Sequence, residues 1–98
     1  MMDVAIDHDV ASDTRIYRVG GQVFFASADI FADRFDLRET ARAVRIDLTH
    51  APLWDVTAVA ALEDVVATLR RHGTTVEVGG LNTASETLVD RHAPLLLD

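Results

Sequence analysis

The stretch IDLTHAPLWDVTAVAAL, Ile46 to Leu62, decides the fold of this chain. It continues a run in which apolar and polar side chains alternate, the pattern of a strand with one buried face. The apolar positions of that run are Val44, Ile46 and Leu48. A turn at Ala51-Pro52 follows, after which apolar residues recur at helical spacing. The chain is therefore predicted to leave a buried strand, turn, and enter an amphipathic helix.

The first turn of this helix holds the residues from which we infer function. Asp55 and Thr57 stand two residues apart, with Val56 between them and Ala58 behind. An acid and a hydroxyl at an exposed helix start can cap the helix, contact an anion or accept a phosphate. We favour capping as the main role because such caps are common, and phosphorylation of Thr57 is compatible with it. Binding of a nucleotide or small anion at residues 55–58 is less favoured.

Composition bounds the class of protein. A chain of 98 residues, 49% of them apolar, forms one domain with its own core. It has no cysteine, and all nine basic residues are arginine, which excludes disulfides, thiolate metal sites and lysine Schiff bases. A net charge of -7 argues against nucleic-acid binding. No apolar run approaches the roughly 18 residues that span a bilayer, so we expect no direct membrane insertion and a cytoplasmic location.

The sequence also lacks the patterns of a catalytic or metal site. The four histidines have no ligand spacing, and no acid–base pair or triad is visible. We therefore expect no catalytic residue, no metal and no cofactor.

The N-terminal part divides into a tail and a hairpin. Residues 1–14 contain four aspartates and no arginine, and they are predicted to be an acidic, disordered tail ahead of a domain over residues 15–98. The runs RIYRV (residues 15–19) and QVFFA (residues 22–26) flank Gly20-Gly21. Two β-rich runs around two glycines predict a tight antiparallel hairpin.

The remaining elements alternate between helix and strand. A helix is predicted to begin at Ser27 and to bury Phe35. Further predicted elements are a strand over residues 43–48, a helix from about Thr57 to His72 ended by Gly73, a strand over residues 74–78, and a helix over residues 83–92 that Thr83 or Asn82 caps and Pro94 stops. The fold class is thus α/β, a mixed four-stranded sheet with an N-terminal antiparallel hairpin, layered with three α-helices.

This succession of motifs resembles the STAS domain. The matching residues, in order, are Asp47-Leu48, Pro52, Asp55-Val56-Thr57 and Arg70-Arg71-His72-Gly73 before a strand. The similarity extends from about Arg15 to Arg91. STAS domains occur in bacterial anti-sigma factor antagonists and in the cytoplasmic C-terminal region of sulfate-permease-type (SulP) anion transporters. The run IYRVGGQVFFASADIF, Ile16 to Phe31, is similar to the transporter branch, although the connection between Phe35 and Val44 is shorter than in many transporter relatives.

The resemblance implies a regulatory domain rather than an enzyme. It implies that the domain modulates transport through protein–protein contacts with a transporter membrane domain, with a soluble partner or with a second copy of itself. The alternative is a stand-alone anti-sigma factor antagonist that a serine kinase switches by phosphorylation. Thr57 matches the position at which antagonists carry their phosphorylated serine or threonine.

Overall fold

The computed structural model describes residues 2–21, 33–51 and 55–97, and it contains a four-stranded sheet. The strands are β1 (Asp3–Asp9), β2 (Thr14–Gly20), β3 (Ala43–His50) and β4 (Thr75–Gly79), and they lie in the order β1-β2-β3-β4. The helices are α1 (Val56–Arg71) and α2 (Thr83–His92), followed by a 3-10 helix at Pro94–Leu97. β1 is antiparallel to β2, while β2, β3 and β4 are mutually parallel. The predicted mixed α/β sheet is confirmed.

One face of the sheet is buried because side chains alternate along each strand. Tyr17 of β2 and Ile46 of β3 are direct neighbours in the parallel register, and they are 2% and 0% exposed. Helix α1 adds a stripe of buried side chains to the same core, namely Ala58, Val59, Leu62, Val65, Val66 and Leu69. Each large aliphatic side chain buried in this way contributes about 1.5–3 kcal/mol relative to exposure. This packing fixes the position at which α1 begins.

The prediction of a disordered tail over residues 1–14 is wrong. Asp3–Asp9 forms β1, which pairs with β2 in unbroken antiparallel register. Val4 lies opposite Val19 and faces the core, whereas the aspartates of β1 lie on the face of the sheet opposite the core, which we call the open face. Carboxylates on an exposed strand remain hydrated, so the charge that suggests disorder is compatible with this strand.

The antiparallel hairpin lies one strand earlier than predicted. It joins β1 to β2 through a turn in which the Asp13 N–H donates to the Val10 carbonyl at 3.3 Å. A tight turn needs residues with positive φ, which is why two glycines predict one. In the observed turn the residue with positive φ is Asp13, with φ 48°. β2 has β1 on one side and β3 on the other, and Gly20 is its last residue. The predicted partner strand, residues 22–26, lies outside the described residues.

The second half of the chain follows the prediction closely. Helix α1 begins one residue earlier than predicted, and Gly73 follows it with φ 89°, as a glycine after a helix commonly does. Of the two candidate caps of α2, Asn82 is the one used, since its Oδ1 accepts from the Ser85 N–H at 2.7 Å. Of the three predicted helices, the one beginning at Ser27 lies mainly outside the described residues.

The connection into β3 is held by contacts that the sequence did not predict. Phe35 is buried as predicted, and its ring centroid lies 4.6 Å from that of Tyr17. The Asp36 N–H donates to the Tyr17 hydroxyl at 3.3 Å. Arg15 donates to both carboxylate oxygens of Glu39, at 3.2 and 3.4 Å, and only 3% of the Glu39 side chain is exposed. These contacts attach the connection to β2.

Among the helices of the described residues, neither α1 nor α2 is both long and apolar enough to cross a membrane.

Candidate functional site

The start of α1 lies at the edge of the sheet where the parallel strands end. β2, β3 and β4 run in the same direction, so their carboxyl ends meet at one edge. The Gly21 N–H donates to the His50 carbonyl at 2.9 Å and thereby joins the end of β2 to the end of β3. α1 and α2 both begin after strands that end at this edge. Open α/β sheets commonly place their binding surfaces here.

Of the two candidate caps of α1, Asp55 is the residue that caps the helix. Its backbone is extended, with φ -150° and ψ 171°, and its Oδ1 accepts from the Ala58 N–H at 2.8 Å. The Asp55 carbonyl accepts from the Val59 N–H at 3.2 Å, the first hydrogen bond of the helix. The carboxylate therefore satisfies a helix N–H that would otherwise lack an internal partner, and it fixes the direction in which the helix starts.

The first turn of α1 divides into an outward and an inward pair. Val56 is 46% exposed and Thr57 is also exposed, whereas Ala58 and Val59 are 0% and 1% exposed. An aliphatic side chain and a hydroxyl thus lie side by side on the surface, on a helix start whose next two side chains are buried in the core. Thr57 is accessible, as a phosphoacceptor must be, and its phosphorylation stays a prediction.

A second structured turn, which sequence reasoning missed, lies at the same edge. The Asp47 Oδ1 accepts from the Thr49 N–H at 3.0 Å and also from the Thr49 hydroxyl. These hydrogen bonds lower the pKa of the Asp47 carboxyl below its ordinary value, and the positive charge of Arg45 acts in the same direction. The Asp-x-Thr spacing at the end of a strand was the available signal, because such side chains bond the backbone two residues on.

Gly80 allows the ends of β3 and β4 to approach closely. It has φ 79°, and a Cβ at this position would lie only 2.4 Å from the Thr49 backbone nitrogen. The residue is needed for backbone packing. The Gly79-Gly80 pair thus forms the exit from β4 that leads into α2.

Within the described residues, no group of three or more His, Cys, Asp or Glu side chains could hold a metal ion. A groove of about 410 Å³ lies on the open face, and Thr14, Ala43 and Thr75 at the starts of their strands are among the residues lining it. Because strand starts and strand ends lie at opposite edges, this groove is separate from the start of α1. We call residues 55–57, at the start of α1, the α1 corner. Its chemistry is that of a binding surface, with an exposed aliphatic group, a hydroxyl and a carboxylate held by a backbone hydrogen bond.

Comparison with known proteins identifies the family. A family model described as the STAS domain matches residues 5–93, so the chain belongs to the STAS domain family. The resemblance inferred from the motifs is confirmed, and the matched region includes most of β1.

Similar proteins come from both branches of the family. YbaR of Bacillus subtilis, which is named as a sulfate transporter, is 39% identical over 88 residues, which cover 90% of this chain and 18% of YbaR. The crystal structure of an antisigma-factor antagonist STAS domain from Rhodobacter sphaeroides is 39% identical, with a TM-score of 0.77, and the match covers 82% of this chain and 87% of that one. The STAS domain of a SulP transporter from Vibrio cholerae has the same fold, with 22% identity, a TM-score of 0.66 and coverage of 85% of this chain and 66% of that one.

Proposed function

We propose that this chain is the cytoplasmic regulatory domain of a sulfate-permease-type anion transporter, and that it modulates transport by binding a partner protein at the start of α1. The observation that carries the proposal is the outward pair Val56 and Thr57 on a helix start fixed by Asp55. A rigid corner with an exposed aliphatic side chain loses little conformational entropy when a partner covers it. The 39% identity with YbaR supports the transporter branch.

The chemistry of the corner favours contact over catalysis. Val56 provides apolar area for a partner pocket, and the Thr57 hydroxyl can donate to or accept from a partner backbone group. Asp55 uses its carboxylate on the Ala58 N–H and so has a structural role. In this mechanism the domain biases the transporter between states by binding one state more tightly than another. Its partners are the transporter membrane domain or another soluble protein.

The experiment uses a chimera in which this chain replaces the matching segment of YbaR. Uptake of labelled sulfate into cells is compared for the chimera, for Val56→Glu and for Val10→Glu. Val10 lies in the β1–β2 turn and is 80% exposed, which makes it a control for an added surface charge. We expect Val56→Glu to change uptake several-fold and Val10→Glu to leave it unchanged. Equal uptake by all three would refute the role of the corner.

The second candidate function is that of an anti-sigma factor antagonist switched at Thr57. The Rhodobacter structure supports it, because the two chains match over most of both lengths, and so does the exposure of Thr57. A phosphate here would add negative charge near the Asp55 carboxylate and would cover the contact surface around Val56.

Phosphorylation is tested with a serine kinase of the kind that acts on anti-sigma factor antagonists. The chain is incubated with the kinase and ATP, and the modified residue is identified by mass spectrometry. Thr57→Val removes the hydroxyl and keeps the shape, while Thr87→Val on α2 is the matched exposed control. Phosphorylation that is lost in Thr57→Val and kept in Thr87→Val would support this function. Phosphorylation that persists in Thr57→Val would exclude Thr57 as the acceptor.

A further inference from the structure

The outer edge of β1 is an open strand edge. In the part of the chain that the structure describes, β1 has one neighbouring strand, β2. Six of its seven residues are exposed, its register with β2 has no bulge, and it contains no proline. A strand of this kind presents backbone N–H and C=O groups to which another extended segment can add.

The direction of these backbone groups follows from the pairing of β2 with both of its neighbours. The Ala43 N–H of β3 donates to the Asp13 carbonyl at 3.2 Å, so the backbone groups of odd-numbered residues at β2 point towards β3 and those of even-numbered residues point towards β1. The even-numbered residues of β2 lie opposite odd-numbered residues of β1, so the backbone groups of Val4, Ile6 and His8 point outward. Val4 and Ile6 would therefore pair with an added strand, and the His8 N–H would do so by exchanging its hydrogen bond to a carboxylate of its own strand.

The side chains of β1 indicate which side chains an added strand should have. Asp3, Asp7 and Asp9 lie on the open face, with Ala5 between the first two. On the other face Ile6 lies opposite Tyr17, and Ile6 is 57% exposed. An added strand would place alternate side chains beside the carboxylates and beside Ile6, because cross-strand neighbours share a face.

Charge disfavours pairing of two copies through this edge. If two β1 strands paired antiparallel about Ile6, Asp3 of each copy would lie opposite Asp9 of the other. Like charges directly opposite each other destabilise a strand pair. Asp7 pairs with Arg18 of β2 at 3.3 Å, but Asp3 and Asp9, the residues that would meet, form no ion pair among the described residues.

We propose that β1 binds an extended segment of a partner protein in which basic residues alternate with apolar ones. The segment extends the sheet by one strand, its basic side chains lie beside Asp3, Asp7 and Asp9, and its apolar side chains cover Ile6. This site is separate from the start of α1, because β2 lies between β1 and β3, the strand that leads to α1. The proposal holds whichever branch of the family the chain serves.

The test uses a synthetic peptide of the length of β1 in which arginine and valine alternate, with both ends blocked. Binding to the full chain is measured by fluorescence anisotropy, and the site is mapped by amide chemical-shift changes. We expect shifts centred on β1, and affinity that falls about fivefold in the double variant Asp3→Asn and Asp9→Asn. A peptide N-methylated at alternate backbone nitrogens should not bind.

Two controls separate strand addition from simple charge attraction. A peptide of the same composition with its arginines grouped should bind more weakly, and Ile6→Pro, which removes an outward N–H of an edge strand, should bind less than Ile6→Ala. If Ile6→Pro does not fold, the N-methylated peptide provides the same test. Equal binding of the N-methylated or the grouped peptide would overturn the proposal, as would shifts outside β1 or dimerisation of the chain through β1.

Discussion

The two outer strands of the sheet, β1 and β4, are protected in different ways. At β4, the Arg70 guanidinium donates to the Val76 carbonyl at 3.0 Å, and the 3-10 helix Pro94–Leu97 contacts the strand. At β1, the described residues protect the edge with carboxylates, of which Asp3, Asp7 and Asp9 share one face. A covered edge excludes every partner strand, whereas a charged edge excludes only strands of like charge. The first kind of protection depends on packing, and the second depends on pH and salt.

The largest difference in stability is expected between a substitution in the central strand β3 and one in the charged edge strand β1. Ile46→Ala removes a fully buried side chain of β3, and we expect it to lower the free energy of unfolding by about 2–5 kcal/mol. Ile6→Ala, in the exposed strand β1, should lower it by about 0.5 kcal/mol or less. Urea unfolding of the two variants measures both. Similar losses would mean that Ile6 is buried in solution.

Loss of the Glu39 carboxylate should have the next largest effect. Glu39→Gln weakens the two hydrogen bonds from Arg15 and leaves a buried amide beside a cation, so we expect a loss of about 1–2 kcal/mol. Glu77→Gln removes the partner of Arg45 on the open face, where 69% of the Glu77 side chain is exposed, and it should change stability little. Thermal unfolding of both variants provides the comparison, and equal melting temperatures would show that Glu39 is solvated.

Acid should loosen the β1 edge before the β4 edge. Hydrogen bonds to His8 and to the Arg42 N–H lower the pKa of Asp13 below its ordinary value of 3.8, and the His8 N–H and Arg18 lower that of Asp7. A lowered carboxyl pKa contributes stability that is present above the unfolded-state value and is lost as pH falls through the folded-state value. We therefore expect amide protection in β1 to fall below about pH 4 while that in β4 persists. Simultaneous loss in both strands would contradict this.

Glu39 contributes to the same acid sensitivity. Burial raises the pKa of its carboxyl, but the hydrogen bonds from the Ala41 N–H and from Arg15 outweigh this effect, so the pKa lies below the ordinary value of 4.5. In Glu39→Gln, the fall in stability on acidification should be smaller than in the unaltered chain.

The smallest effect is expected at the covered edge. Arg70→Gln removes the donor to the Val76 carbonyl, which water can replace, so we expect a loss of about 0.5–1 kcal/mol and faster amide exchange in β4 alone. Arg71→Gln, which loses a hydrogen bond to the Thr68 hydroxyl on the protein surface, is the matched control. Unchanged exchange in β4 would show that Arg70 does not cover this edge.

The success of sequence reasoning depended on where the decisive contacts lie. α1 and α2 were predictable because their caps and their apolar stripes are local, as Asp55, Gly73 and Asn82 illustrate. β1 was missed because three carboxylates in seven residues resemble a solvated tail until pairing with β2 packs Val4 against the core. The Asp47–Thr49 turn was missed because its importance comes from the close approach of Gly80, which follows another strand, β4.

The sequence alone determined the family, the order of the second-half elements and the residues at the start of α1, since periodicity and capping act within a few positions of the chain. Only the tertiary structure decided which segments form the hairpin, which edge of the sheet is covered, and which side chains of the first turn face outward. Those outcomes depend on pairing between residues distant in sequence, where an exposed aspartate is equally at home in a tail or on the solvent side of a strand.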